Sequence, residues 1–161
     1  MRIGIVSDTH NNLKNCRKIV ELFNDLTVDH VIHTGDITQA KTIEVFSQLD
    51  APMSGVFGNN DKERESLGLA IERYDFRFID PPLMLSWAGR NLLVVHDPLD
   101  LEALDCCDIN VILHGHTHTQ KIEFSDSRLT FNPGESAGIM EGLNAIGILD
   151  LETLKPEIIR F

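Results

Sequence analysis

Cysteine is scarce in this chain of 161 residues, with three in all, two of them adjacent at Cys106 and Cys107. An odd, adjacent set excludes a framework of paired disulfides and makes a reducing cytoplasm the expected setting. Long apolar runs are missing too. None approaches the roughly eighteen residues of a membrane-spanning helix, and the opening MRIGIVSDTH reads as a strand, not as a secretory leader. No internal repeat, low-complexity tract or linker is visible. Positive charge is the third shortage: 14 Lys and Arg stand against 25 Asp and Glu, a formal net charge of −11. The phosphates of a nucleic acid or an anionic membrane would be repelled over most of such a surface, so neither is an expected partner. The count omits bound metals, which can still build a local cationic site.

What is present is ordinary for a globular protein: 42% apolar and 24% charged residues. The length suits one domain spanning 1–161 with a full core. Arg2–Ser7 is apolar on both sides, as a buried strand is. Leu13, Cys16, Val20 and Phe23 then repeat at helical spacing. His30–His33 is a second strand, 39–49 a second helix and Pro52–Phe57 a third strand. This β-α-β-α-β rhythm predicts parallel strands with crossover helices. Lys62–Ile71 reads as a short polar helix, and Pro81-Pro82 break the chain. Gly89-Arg90 suits a two-residue type II′ hairpin turn. Pro98–Cys106 looks helical and Ile109–Leu113 is another buried strand. QKIEF, RLTF, AIGILDL and EIIRF then read as strands, the first two joined through Ser125-Asp126-Ser127.

Five apolar runs exit into metal-binding side chains: Asp8 and His10; Asp36; Asn59; His96; and His114, His116 and His118. Ligand sites of open α/β sheets gather at the carboxyl ends of strands, so these loops can converge on one edge. Each also has a plainer reading. Asp8 can cap the following helix. Gly35-Asp36 and Asn59-Asn60 can be turn chemistry, and His96 a satisfied core histidine. The cluster at 114–118 is the rarest pattern. A strand there would put its three histidines on one face, as in a three-histidine zinc site; Gly115 argues instead for a loop that displays His116 and His118 separately. Composition does not choose between them.

In order, D-x-H, GD, G-N-x-D, a lone His after a strand and G-H-x-H resemble the calcineurin-like metallophosphoesterases. VIHTGD, GHTH and NPGE make the chain most similar to the small YfcE-like phosphodiesterase branch, over essentially its whole length. The resemblance implies a four-layer α-β-β-α sandwich of mixed sheets, with two divalent metals on one edge. It implies Asp8, His10 and His118 on the first metal, Asn59, His96 and His116 on the second, and Asp36 bridging both. It further implies a phosphodiesterase in which a metal-bound hydroxide attacks a small phosphodiester. A bridging carboxylate shields two cations from each other, while neutral imidazoles and an amide leave them electron-poor. The absence of cysteine from that set favours Mn, Fe, Co or Ni over Zn.

Outside the implied ligand set, His33 and His114 read as orienting or structural groups, and Asn132 lies in the NPGE loop. Lys62 and Arg64 can meet a substrate phosphate or be solvated helix charges. Two positions depart from the family pattern. Asn60 stands where many members carry a histidine that protonates the leaving oxygen, and an amide does not titrate near neutral pH. Asp97 stands where many have glycine after the lone histidine. Three other functions fit parts of the pattern: a non-catalytic scaffold like the retromer subunit that resembles these enzymes, a nuclease of the same superfamily, and a one-metal hydrolase built on the histidines at 114–118. Self-association is compatible with the sequence.

Overall fold

In the computed structural model, which describes all of residues 1–161, strand β1 (Arg2–Val6) is buried on both faces because it lies between two cores. Ile3 and Ile5 point toward a second sheet, while Val6 points toward a layer of helices. Beside β1 lie β2 (His30–His33), β3 (Met53–Val56) and β4 (Arg77–Ile79), all parallel. On its other side β10 (Ala145–Asp150) runs antiparallel, with β11 (Lys155–Arg160) at the edge. The order of this sheet is β11-β10-β1-β2-β3-β4.

Helix α1 (Leu13–Asp25) connects β1 to β2, and Asn12 caps it by accepting the Asn15 N–H at 3.2 Å. Its face of Cys16, Ile19, Val20 and Phe23 is buried against the sheet. Helix α2 (Ala40–Phe46) packs beside it, and α3 (Arg64–Arg73) packs beside α2. These helices bury one face of the sheet and fix where its parallel strands end.

The second sheet has the order β5-β6-β7-β9-β8. It comprises β5 (Leu83–Trp87), β6 (Arg90–Val94), β7 (Val111–Leu113), β8 (Lys121–Ser125) and β9 (Arg128–Asn132). Its inner residues, including Leu83, Leu92, Val94, Leu113 and Phe131, meet Ile3, Ile5, Ile32 and Val56 in a dry inter-sheet core. The outer face carries a small cluster of Leu93, Val95, Ile109 and Ile112 under a 3-10 helix at Pro98–Ala103. The expected α-β-β-α sandwich of mixed sheets is therefore the architecture found, with its fourth layer reduced to that single turn-rich segment.

Local expectations need four corrections. The hairpin turn is Ala88-Gly89, not Gly89-Arg90: Trp87 pairs with Arg90, and both turn residues have positive φ, 49° and 71°, as a type I′ turn requires. The register decides this. It faces Leu83, Leu85, Leu92 and Val94 into the core, and a one-residue slip would turn them to solvent. Second, Pro98–Cys106 forms a shorter 3-10 helix, capped by Asp97, whose Oδ1 accepts the Leu99 N–H at 2.9 Å. Third, α2 ends at Phe46, and α3 begins at Arg64 and runs to Arg73. Finally, β4 has three residues and one buried side chain, Phe78, too short to leave a period in the sequence.

Candidate metal centre

The parallel strands of both sheets deliver their carboxyl ends to the same edge. β1 exits into Asp8 and His10, β2 into Asp36, β3 into Asn59 and Asn60, β6 into His96, and β7 into 114–118. Backbone bonds tie these exits together: Asp8 N–H to Gly35 O (3.1 Å), His10 N–H to Asp36 O (3.1 Å) and Gly115 N–H to His96 O (3.0 Å). Five residues here hold left-handed backbone, with φ of 51° at Asp8, 40° at His10, 59° at Asp36, 63° at His116 and 56° at His118. Such conformations cost about 1–3 kcal/mol each and persist where the surroundings over-determine them. Two glycines permit the close approach. A Cβ on Gly58 would collide with Asp36 Oδ1, and one on Gly115 with Ser7 Oγ and Asp8 Oδ2.

Side chains converge accordingly. One ligand atom from each of Asp8, His10 and His118 lies within 4.8 Å of the others, and so do those of Asp8, Asp36 and His96. His118 Nε2 is 3.5 Å from Asp8 Oδ1, and His10 Nε2 is 3.5 Å from Asp36 Oδ2. Beside them, Asn59 Oδ1 lies 2.9 Å from His96 Nε2 and 3.1 Å from His116 Nδ1. All seven residues that the family resemblance singles out as ligands are thus at one edge.

The hydrogen-bond inventory tests whether a cation suits them. His96 Nδ1 faces the Thr34 carbonyl at 2.9 Å, so it carries the proton and leaves Nε2 with its lone pair. That lone pair faces Asn59 Oδ1 and, at 3.6 Å, Asp36 Oδ2, which are acceptors as well. Asp8 Oδ1 and His10 Nε2 are buried without any hydrogen-bond partner. Facing acceptors and orphaned lone pairs are unfavourable by themselves and become favourable around a positive ion. The residues present fit divalent metals.

A surrounding layer of polar groups holds this set. Asp8 Oδ2 accepts from Ser7 Oγ and from the His116 N–H, which leaves Oδ1 facing the imidazoles. Burial pushes the Asp8 carboxyl up from its ordinary value, opposed by the Ser7 hydrogen bond and the neighbouring histidines. Asn60 grips Asp36 at both oxygens, its N–H to Oδ1 at 2.8 Å and its Nδ2 to Oδ2 at 2.7 Å. Asp97 lies with Oδ2 3.6 Å from His116 Nε2.

His33 is fully buried, accepts the Gly35 N–H at Nδ1 and bonds Thr9 Oγ1 through Nε2 at 3.2 Å. Desolvation lowers its pKa to about 3, so it stays neutral. His114 is buried, with Nδ1 donating to Gly115 O at 3.1 Å, and burial lowers its pKa as well. Asn132 donates to Gly115 O and Thr117 Oγ1 and accepts the Gly134 N–H, bracing the 114–118 loop. Arg64 lies 3.8 Å above the Phe57 ring and pairs with Asp80.

Several positioning residues have no individual signal of that role in the sequence, among them Ser7, Thr34 and Asp61. Asp61, the last of GNND, is 2% exposed and accepts three backbone N–H groups: Gly58 (2.7 Å) and Asp36 (3.1 Å) at Oδ2, and Thr38 (2.6 Å) at Oδ1. It fastens the β2 exit to the β3 exit. Burial raises its pKa, countered by these backbone bonds. The sequence signals it only as the closing aspartate of the G-N-x-D motif, with no trace of its fastening role.

Comparison with known proteins agrees with this geometry. Residues 1–154 match the calcineurin-like phosphoesterase superfamily domain. The phosphodiesterase MJ0936 of Methanocaldococcus jannaschii is 37% identical over 157 residues, 94% of each chain. The phosphodiesterase YfcE of Escherichia coli is 27% identical over 173 residues, 96% of this chain and 90% of its own. A solved archaeal phosphodiesterase superposes with a TM-score of 0.92 at 36% identity, covering all of both chains. A solved YfcE structure, at a TM-score of 0.74 and 21% identity over 99% of this chain and 98% of its own, shares the fold. With its order of motifs, its two mixed sheets and this match over nearly its full length, the chain belongs to the calcineurin-like phosphoesterase superfamily.

Proposed function

We propose that residues 1–161 form one metal-dependent phosphodiesterase domain with a dinuclear centre. The observation that carries this reading is the set of unsatisfied groups at its centre, in which Asp8 Oδ1 and His10 Nε2 have no hydrogen-bond partner and His96 Nε2 faces the oxygens of Asn59 and Asp36. Asp8, His10 and His118 would hold one divalent ion, Asn59, His96 and His116 a second, and Asp36 both. Such ions supply Lewis acidity toward a phosphoryl oxygen and acidify water into a nucleophile at neutral pH. Mn, Fe, Co and Ni fit this nitrogen and oxygen set, with Zn a further candidate.

The chain's own residues supply positioning. Ser7 and the His116 N–H keep one Asp8 oxygen occupied and the other directed at the centre. The Thr34 carbonyl fixes the His96 tautomer so that Nε2 can ligate. Asn60 orients the Asp36 carboxylate and offers no titrating proton, so the leaving oxygen departs without an acid from that position. Aryl diesters, whose leaving groups need no proton, are therefore the expected good substrates. Alkyl monoesters are expected to be poor. No helix is long and apolar enough to cross a membrane, and the free thiols of Cys16, Cys106 and Cys107 suit a cytoplasmic setting.

The test is chelation followed by reloading with single metals and assay on a panel of phosphodiesters and monoesters. Restored hydrolysis of bis-p-nitrophenyl phosphate, with two ions per chain by elemental analysis, is expected. A fully loaded protein inactive on every diester would make it a scaffold; activity restored by one ion per chain would point to the one-metal alternative.

A further inference from the structure

His118 borders two spaces. Its Nε2 faces Asp8 Oδ1 at 3.5 Å, and the residue also helps line a cavity of about 330 Å3 with Thr119, Gln120, Met140, Leu143 and Arg160. Met140 and Leu143 are 37% and 40% exposed, large apolar groups turned to solvent beside a polar centre. The loop that carries them is tied in place. Fully buried Glu135 accepts the Met140 N–H at 3.0 Å, Asn12 Nδ2 donates to Ala137 O at 2.7 Å, and Asn15 Nδ2 donates to Ser136 O at 2.8 Å. The Ser136 N–H reaches Asp8 O at 3.3 Å, joining this loop to the β1 exit. Across the cavity, Arg160 donates to the neutral Gln120 Oε1 at 2.9 Å and brings a cation to the rim of an acidic protein.

Resting on the phosphodiesterase reading, we infer that this cavity binds the ester arm the enzyme retains, and that this arm carries a flat aromatic ring. Apolar walls of methionine and leucine suit the faces of a ring, and thioether sulfur makes favourable contacts with aromatics. Arg160 supplies hydrogen-bond donors at the rim. The volume lies at the lower end of small-molecule pockets, which run about 300–1,000 Å3, so it suits one ring system. Because His118 is shared, a phosphate at the centre and a ring in the cavity belong to one molecule. The leaving oxygen is assigned to the Asn60 side, so the arm beside His118 is the one kept. An aryl ester and a nucleoside ester both present this chemistry.

Three diesters with the same leaving group test it on the metal-loaded protein: the p-nitrophenyl phosphates of methanol, phenol and the thymidine 5′-hydroxyl. With chemistry at the leaving oxygen held constant, kcat/KM for a ring-bearing arm should exceed that for methyl by about tenfold or more, mainly through KM. A higher value for thymidine identifies a nucleoside and a higher value for phenol an aryl ester; either supports the pocket. In the double variant M140A/L143A the ring-to-methyl ratio should collapse toward one. Each ratio is taken within one sample, so partial misfolding cancels. A wild-type ratio near one, or a large ratio that survives the double substitution, overturns the subsite. Failure to hydrolyse any of the three overturns the phosphodiesterase reading itself.

Discussion

Replacing Asp61 by alanine should unfasten the metal loops from behind without removing a residue that faces the metals. Its carboxylate accepts three backbone N–H groups, and their situations differ. The Asp36 N–H bond is buried, so losing its acceptor leaves an unpaired donor away from water, a cost of about 1–3 kcal/mol. The Gly58 and Thr38 bonds are part-buried, and water can replace the acceptor there, at about 0.5–1.5 kcal/mol each. Relief of a carboxylate penalised by burial offsets some of the sum. The net expectation is about 3 kcal/mol of destabilisation, which for urea slopes of about 1–3 kcal/mol/M shifts the midpoint down by about 1–3 M. Metal retention should fall as well, because Asp61 fixes the Asp36 backbone. Asp61→Asn keeps one acceptor oxygen and should lose less of both. The measurement is urea unfolding of the metal-free protein with native mass spectrometry of the loaded one. An Asp61→Ala protein whose midpoint and ion count match wild type would refute the fastening role.

Four other outcomes are expected. Asp36→Ala should lose both ions or hold them weakly, and full occupancy by native mass spectrometry would show that Asp36 does not bridge. His116→Ala and His118→Ala should each abolish turnover while His114→Ala retains much of it; equal loss from all three would favour the single-metal, three-histidine alternative. Asn60→His should raise rates on basic leaving groups more than on p-nitrophenolate, since positioned proton transfer is worth about 10²–10⁴-fold; parallel plots of rate against leaving-group pKa would remove Asn60 from that role. His33 titrates near 6.5 when unfolded and at about 3 when folded, so the native state binds fewer protons between those values. Its contribution is therefore complete above pH 6.5 and lost as pH falls toward 3. Urea midpoints of metal-free protein should drop over that window in wild type and less in His33→Gln, and identical profiles would contradict the assignment.

Much of the fold was legible because burial leaves a periodic trace. β1 to β3 are buried on both faces since they lie between two cores, with β1 apolar throughout its interior, and α1 shows its buried face at helical spacing. β4 was not legible, because one buried phenylalanine in three residues makes no period. The Ala88-Gly89 turn was misassigned by one residue for a related reason. Turn chemistry near a glycine is ambiguous by one position, and only the packing of Leu83, Leu85, Leu92 and Val94 against the other sheet selects the register.

The centre divides along the same line. Local sequence by itself determined which residue types leave each strand, because Asp, Asn and His in fixed order after apolar runs are chemical facts of the chain. Tertiary structure alone decided that these exits meet, since they come from two sheets whose mutual packing is set by residues such as Ile5, Val56, Leu113 and Phe131. It also decided the roles of residues that look alike in sequence. Asn59 turns its oxygen to two imidazoles, Asn60 closes on Asp36, and Asp61 turns back to three peptide N–H groups. Neighbours in GNND face different ways because the left-handed Asp36 and the close-fitting Gly58 bring the β2 exit against them, a contact between residues more than twenty positions apart.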